Sequence, residues 1–205
     1  MKISASILSI KEDLKEKIEL LDKTSIDYFH LDIMDGIFVE NKTWNIEEIL
    51  YLFENTTKPL DVHLMVSDVF KYVEDFKILK PSYLTFHYET NIDIIEMIIK
   101  IKSYGIKAGL SINPDTDVKL IEEYLPFLDL VLIMSVYPGY GGQEFIDSVI
   151  NKINYLKEKQ TNYVIQVDGG ITDKTINLVK DVDIVVVGNY ITSGDYEERI
   201  NNIRS

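Results

Sequence analysis

A closed barrel of eight parallel β/α units is the fold this sequence predicts, and three observations carry the prediction. Short runs rich in β-branched and aliphatic residues alternate with helix-like stretches along the whole 205-residue chain, as parallel strands joined by crossover helices do. The alternation recurs eight times, more often than a doubly wound sheet usually needs. Such a sheet also carries a glycine fingerprint after its first strand, where this chain reads Ser9-Ile10-Lys11-Glu12.

The strands are read near residues 2–8, 28–34, 59–65, 82–87, 106–112, 129–135, 163–168 and 183–188. Helical character fills 11–22, 45–54, 68–77, 92–104, 116–124, 144–159, 172–180 and 195–203. In the first of these Leu14, Ile18, Leu20 and Leu21 fall near one apolar stripe. No Pro/Gly/Ser-rich linker, low-complexity tract or abrupt charge shift divides the sequence, so residues 1–205 are read as a single (β/α)8 barrel domain.

Composition narrows the function. An apolar fraction of 46% supports a sizeable core, and 27% charged residues is ordinary for a folded protein. The net charge of −13 argues against nucleic acid or an anionic membrane as partner. An anionic substrate would therefore need positive potential supplied locally. With no cysteine there is no disulfide framework and no thiolate metal site. The apolar run at the N-terminus is too short for a signal peptide, and no run approaches a membrane span, so a cytoplasmic setting is expected.

Three segments concentrate the chemistry: Tyr28 to Gly36, Asp61 to Met65, and Ile165 to Ile171. Residues two apart in an extended run share a face. His30, Asp32 and Met34 therefore share one face, as do Asp61, His63 and Met65. Asp168 closes the third segment before Gly169 and Gly170. A lone strand histidine is more often core packing than a ligand. Here two of the chain's three histidines each precede a methionine by two or four residues, and one has an aspartate on its face. The third, His87, lacks such companions and is read as supporting. Asp35 before Gly36 is read as a turn organiser. Gly139, Gly141, Gly142, Gly169, Gly170 and Gly188 all follow the sixth, seventh or eighth strand. That is the barrel face where loop amides bind phosphate without needing lysine or arginine.

These segments, with Ser6-Ile7-Leu8-Ser9, Asn113-Pro114-Asp115-Thr116, Met134 to Gln143 and Val187-Gly188, resemble the ribulose-phosphate 3-epimerases across nearly the whole chain. The resemblance implies a TIM barrel of the ribulose-phosphate-binding type and an isomerase that interconverts ribulose 5-phosphate and xylulose 5-phosphate in the pentose phosphate pathway. It implies one divalent metal ion held by His30, Asp32, His63 and Asp168, with zinc or iron(II) leading and manganese or cobalt also suiting the donors. Asp32 and Asp168 would exchange acid and base roles across the carbon beside the ketone, through an enediolate. Ser6, His63, Met34, Met65 and Met134 would contact the substrate. Gly139, Tyr140, Gly141 and Gly142 would form a mobile cap, and Gly169, Gly170, Gly188 and Asn189 would complete the binding surface. A homo-oligomer is expected on the same basis.

Two positions depart from the family pattern: Tyr137 stands where asparagine is usual, and Asn189 where serine is usual. Competing readings remain. One is a sister enzyme acting on allulose 6-phosphate, suggested by Met1-Lys2-Ile3-Ser4 and Thr57 to Asp61. Another is a barrel decarboxylase or aldolase, opposed by Met34 where those proteins commonly carry lysine. The third is a catalytically silent sugar-phosphate binder.

Overall fold

Every residue of Tyr28–Met34 is buried, which a strand achieves only when both its faces are covered. The computed structural model describes residues 1–159 and 162–205, and in it this strand is one stave of a closed parallel barrel. The staves are β1 (Lys2–Ser6), β2 (Tyr28–Met34), β3 (Leu60–Met65), β4 (Tyr83–His87), β5 (Lys107–Ile112), β6 (Leu130–Met134), β7 (Val164–Asp168) and β8 (Ile184–Val187). They pair in sequence order, and β1 closes onto β8 from Lys2↔Ile184 to Ala5↔Val187. The eight-unit expectation holds.

Helices α1 (Leu14–Asp22), α2 (Ile46–Leu52), α3 (Val69–Phe76), α4 (Ile94–Ser103) and α5 (Ile150–Lys159) lie in the crossovers, and α6 (Asn189–Thr192) and α7 (Tyr196–Arg204) follow β8. Their starts are chemically marked. Asn45 and Glu48 form a reciprocal capping box on α2, while Asp68, Asp93 and Asp195 accept backbone amides at the starts of α3, α4 and α7. Alternation divides each strand between two cores. Phe29, Leu31 and Ile33 belong to the continuous apolar layer that includes helix residues such as Ile18, Leu21 and Ile49. Tyr28, Tyr83, Leu130, Leu132 and Ile184 belong to a smaller cluster.

A layer of buried polar side chains, Ser4, His30, Asp61, His63 and Gln166 among them, accompanies these cores. Gly109 belongs to this packing: a Cβ there would meet Thr85 Oγ1 at 2.2 Å.

Two expected helices are replaced. The stretch read as helix over 116–124 is a 3₁₀ run, Val118–Phe127. Pro126 within it lacks an amide hydrogen and disfavours a regular α-helical ladder. Over 172–180 only Ile176–Leu178 is helical, again 3₁₀. There the Thr175 hydroxyl donates to Gly170 O and accepts from Thr172 N, while Thr172 Oγ1 accepts from Lys174 N. These side chains offer the backbone local partners that compete with a helix.

Candidate active site

The register between β2 and β3 sets His30 beside Asp61, Asp32 beside His63 and Met34 beside Met65. Across the barrel, β7 ends at Asp168, paired with Met134 of β6. The H-x-D-x-M and D-x-H-x-M patterns thereby interlock on adjacent strands. One ligand atom from each of His30, Asp32, His63 and Asp168 lies within 4.8 Å of the others.

Both imidazoles are turned so that one nitrogen faces the carboxylates. His30 Nε2 lies 3.4 Å from Asp32 Oδ1 and 3.6 Å from Asp168 Oδ2. His63 Nδ1 lies 3.5 Å and 3.9 Å from the same two oxygens. Neither buried nitrogen has a hydrogen-bond partner among the described residues. A buried polar atom left so is costly, and two imidazole nitrogens facing two carboxylates are a donor set for a divalent ion. The residues present fit such an ion.

The opposite edge of His30 is tied down. Its Nδ1 lies 2.8 Å from Asp61 Oδ2, which also accepts from Ser4 Oγ at 2.8 Å and Gln166 Nε2 at 2.5 Å. Ser6 Oγ donates to Asp32 Oδ2 at 2.7 Å, leaving Asp32 Oδ1 toward the histidines. Asp61 was not among the expected site residues. The signal was its position two residues before His63 on the same strand face.

Proton affinities in the cluster diverge. Burial opposes a charged His30, yet the Asp32 and Asp61 carboxylates hold its imidazole well above the usual range. Burial likewise opposes an ionised Asp32, but His30 and His63 keep its carboxyl below the ordinary value. For His63 burial prevails over the nearby Asp32 carboxylate, with His87 and His30 reinforcing it, and its pKa falls to about 4. Asp168 moves up to about 7, because burial and the charges of Asp32 and Asp61 outweigh His30.

Above the cluster is a cavity of about 210 Å³ whose wall includes Ser6, Asp32, Asp168 and the strand-end methionines Met34, Met65 and Met134. Gly139, Tyr140, Gly141, Gly142, Gly169, Gly170, Gly188 and Asn189 complete its rim. His63, expected to touch substrate, is fully buried behind this wall and is absent from the lining. Among the described residues lining the cavity there is no lysine or arginine.

The rim requires glycine at particular points. Gly170 has φ +63, and a Cβ there would approach Phe145 N to 2.5 Å. The loop carrying Gly139 to Gly142 is cross-tied: Gln143 Nε2 donates to Tyr137 O and Tyr140 O, and Asn41 Nδ2 donates to Gly139 O. The departing residue Tyr137 is also in the wall and donates its hydroxyl to Asp115 Oδ2 at 2.7 Å. Asp35 accepts the amides of Ile37 and Phe38 and both the amide and hydroxyl of Ser67. It therefore joins the turn after β2 to the end of β3.

The family model described as "Ribulose-phosphate 3 epimerase family" matches residues 2–192. The chain belongs to the ribulose-phosphate 3-epimerase family. It is an isomerase of the epimerase type. A ribulose-phosphate 3-epimerase from Treponema pallidum (strain Nichols) is 38% identical, with 88% of this chain and 86% of that protein aligned. One from Bacillus subtilis (strain 168) is 37% identical, over 100% of this chain and 98% of the relative. The chloroplastic ribulose-5-phosphate-3-epimerase of Arabidopsis thaliana is 38% identical over 99% of this chain and 76% of its own length. Among solved structures, 3-hexulose-6-phosphate synthase from Salmonella typhimurium superposes with a TM-score of 0.71 at 21% identity, covering 99% of this chain and 96% of that one. At that identity the likeness concerns the barrel fold alone. Among the described residues no helix is long and apolar enough to cross a membrane.

Proposed function

We propose that this chain interconverts ribulose 5-phosphate and xylulose 5-phosphate by inverting the carbon beside the ketone, using Asp32 and Asp168 as its proton carriers. One observation carries the reading: in a member of the epimerase family, two carboxylates of unlike proton affinity share a buried cluster that opens onto a cavity. Residues 1–205 are read as one domain, supported by strands that close a single barrel.

Epimerisation needs a base on one face of the reacting carbon and an acid on the other. Asp32, held ionised by its histidine neighbours, suits the base, with Ser6 Oγ occupying its Oδ2. Asp168, raised to about 7 in the metal-free chain by burial and the neighbouring carboxylates, is the carboxyl that more readily takes up a proton, and the family resemblance gives it the acid role. Environments that push two carboxyls apart are how one site assigns acid and base roles. In the reverse direction the roles exchange.

His30, Asp32, His63 and Asp168 would hold a divalent cation. When bound, it supplies positive charge to the oxygen on which negative charge develops. Zinc or iron(II) is the ion the family resemblance favours, and manganese or cobalt suits the same donors. Met34, Met65 and Met134 offer polarizable thioethers that exclude water from the reacting carbon. The phosphate would rest on backbone amides at Gly142, Gly169, Gly170, Gly188 and Asn189, which is consistent with a rim without basic side chains. A cytoplasmic setting and a homo-oligomer accompany the reading as expectations from the sequence and the resemblance.

The test is a coupled epimerase assay on protein loaded with a defined metal, comparing ribulose 5-phosphate with allulose 6-phosphate at matched concentrations. A higher kcat/KM for ribulose 5-phosphate supports the proposal. Preference for the six-carbon substrate replaces it with the sister reaction, and inactivity on both overturns the catalytic reading.

A further inference from the structure

Behind His63 runs a chain of polar groups that the proposed chemistry does not use. His63 Nε2 lies 2.9 Å from His87 Nε2, and His87 Nδ1 lies 3.0 Å from Glu89 Oε2. The other carboxylate oxygen, Glu89 Oε1, accepts the Asn113 amide at 2.8 Å and the Thr116 hydroxyl. Both rings are fully buried, and the Phe38 ring lies 4.9 Å from that of His87.

The hydrogen-bond directions follow from the donor count. A carboxylate is an acceptor, so His87 donates to it from Nδ1. With that hydrogen on Nδ1, neutral His87 presents a lone pair at Nε2. His63 fills the 2.9 Å contact by carrying its own hydrogen on Nε2. That leaves His63 Nδ1 bare, and Nδ1 is the nitrogen that faces Asp32 and Asp168. His30 uses its nitrogens in the opposite sense, with Nδ1 on Asp61 and Nε2 toward the cluster. One imidazole thus reaches its carboxylate directly, and the other reaches it through a second imidazole.

We propose that His87 and Glu89 are positioning residues that hold His63 in the tautomer with Nδ1 unprotonated, and so set the affinity of the cluster for a divalent cation. The inference rests on the metal-site reading above. Partners behind a ligating histidine commonly change metal affinity by roughly 10- to 100-fold when removed.

The experiment measures cobalt(II) affinity by competition with a chromophoric chelator, for the native chain and for His87→Phe, His87→Gln and Glu89→Gln. Nitrogen NMR of the same metal-free samples reads the His63 tautomer. His87→Phe is expected to weaken cobalt binding by roughly 10- to 100-fold and to shift the His63 hydrogen partly onto Nδ1. Glu89→Gln acts in the same direction, because its amide group must turn its hydrogens toward either His87 or the Asn113 amide. His87→Gln recovers most of the affinity, since its carbonyl still accepts from His63 Nε2.

Native affinity and native tautomer in His87→Phe and Glu89→Gln overturn the proposal, even if their thermal stability falls. Should His87→Phe fail to fold, the affinity and tautomer of Glu89→Gln decide alone. Cobalt binding by the native chain with unchanged variants removes this inference only. No binding by the native chain removes the metal-site reading and this inference together.

Discussion

Replacing Asp168 by asparagine is expected to stabilise the metal-free fold while removing most activity. Burial raises the Asp168 carboxyl to about 7 from an ordinary value of 3.8. Between those two values the unfolded chain has lost a proton that the folded chain still holds, so stability declines as pH rises from 3.8 through about 7. The interval corresponds to a cost of up to about 4 kcal/mol at about pH 8, shrinking to about 2 kcal/mol at about pH 5. An amide has the same shape and no charge to bury, so Asp168→Asn escapes this cost.

For a chain of this size about 1 kcal/mol moves Tm by roughly 2–4 °C. The expected gain at about pH 8 is therefore roughly 8–16 °C, falling to about half of that at about pH 5. Calorimetry or thermal circular dichroism on chelator-treated protein at both pH values measures it. The same variant, assayed with metal, should lose roughly 10²- to 10⁴-fold in turnover as expected for a lost general acid. A lower Tm at the higher pH, or a gain independent of pH, would refute the reasoning, because it would mean that Asp168 carries no uncompensated buried charge.

Asp32→Asn is expected to lose roughly 10²- to 10⁴-fold in turnover, measured in the coupled assay, and a native rate would sink the two-carboxylate scheme. Treatment with a chelator should abolish activity and a divalent ion should restore it, and full activity of verified metal-free protein would refute a metal-dependent reaction. Gly170→Ala places a Cβ 2.5 Å from Phe145 N at φ +63. It should cost about 1–3 kcal/mol and raise KM for the sugar phosphate more than it lowers kcat, as urea melts and steady-state kinetics would show. Glu89 is held down to about 2 from 4.5 because His87, Asn113 and Thr116 outweigh its burial. Its stabilising contribution is complete above 4.5 and lost as pH falls through about 2, so Glu89→Gln should show a shallower acid-unfolding limb in that interval.

Much of the barrel was legible along the chain, because a parallel strand covered on both faces must be apolar throughout and must be followed by a crossover long enough to return. The two misread helices show the limit. Thr172, Thr175 and Pro126 changed the local hydrogen bonding where an apolar pattern alone suggested α-helix. Within the site, period-two spacing alone puts His30 with Asp32 and Asp61 with His63 on common faces.

What the sequence by itself determined is therefore the list of chemically capable groups and the strand end on which each lies. Tertiary structure alone decided which of them meet. The register His30↔Asp61 and Asp32↔His63, and the closure that brings Asp168 across from β2, depend on contacts between segments far apart in sequence. So does the chain from His63 through His87 to Glu89 and on to Asn113 and Thr116, drawn from β3, β4 and the segments that follow β4 and β5. Proton affinity belongs with these, because a carboxyl's charge cost depends on burial and on the neighbours assembled around it. Asp32 and Asp168 are the same residue type, and only the folded barrel lowers the proton affinity of one and raises that of the other.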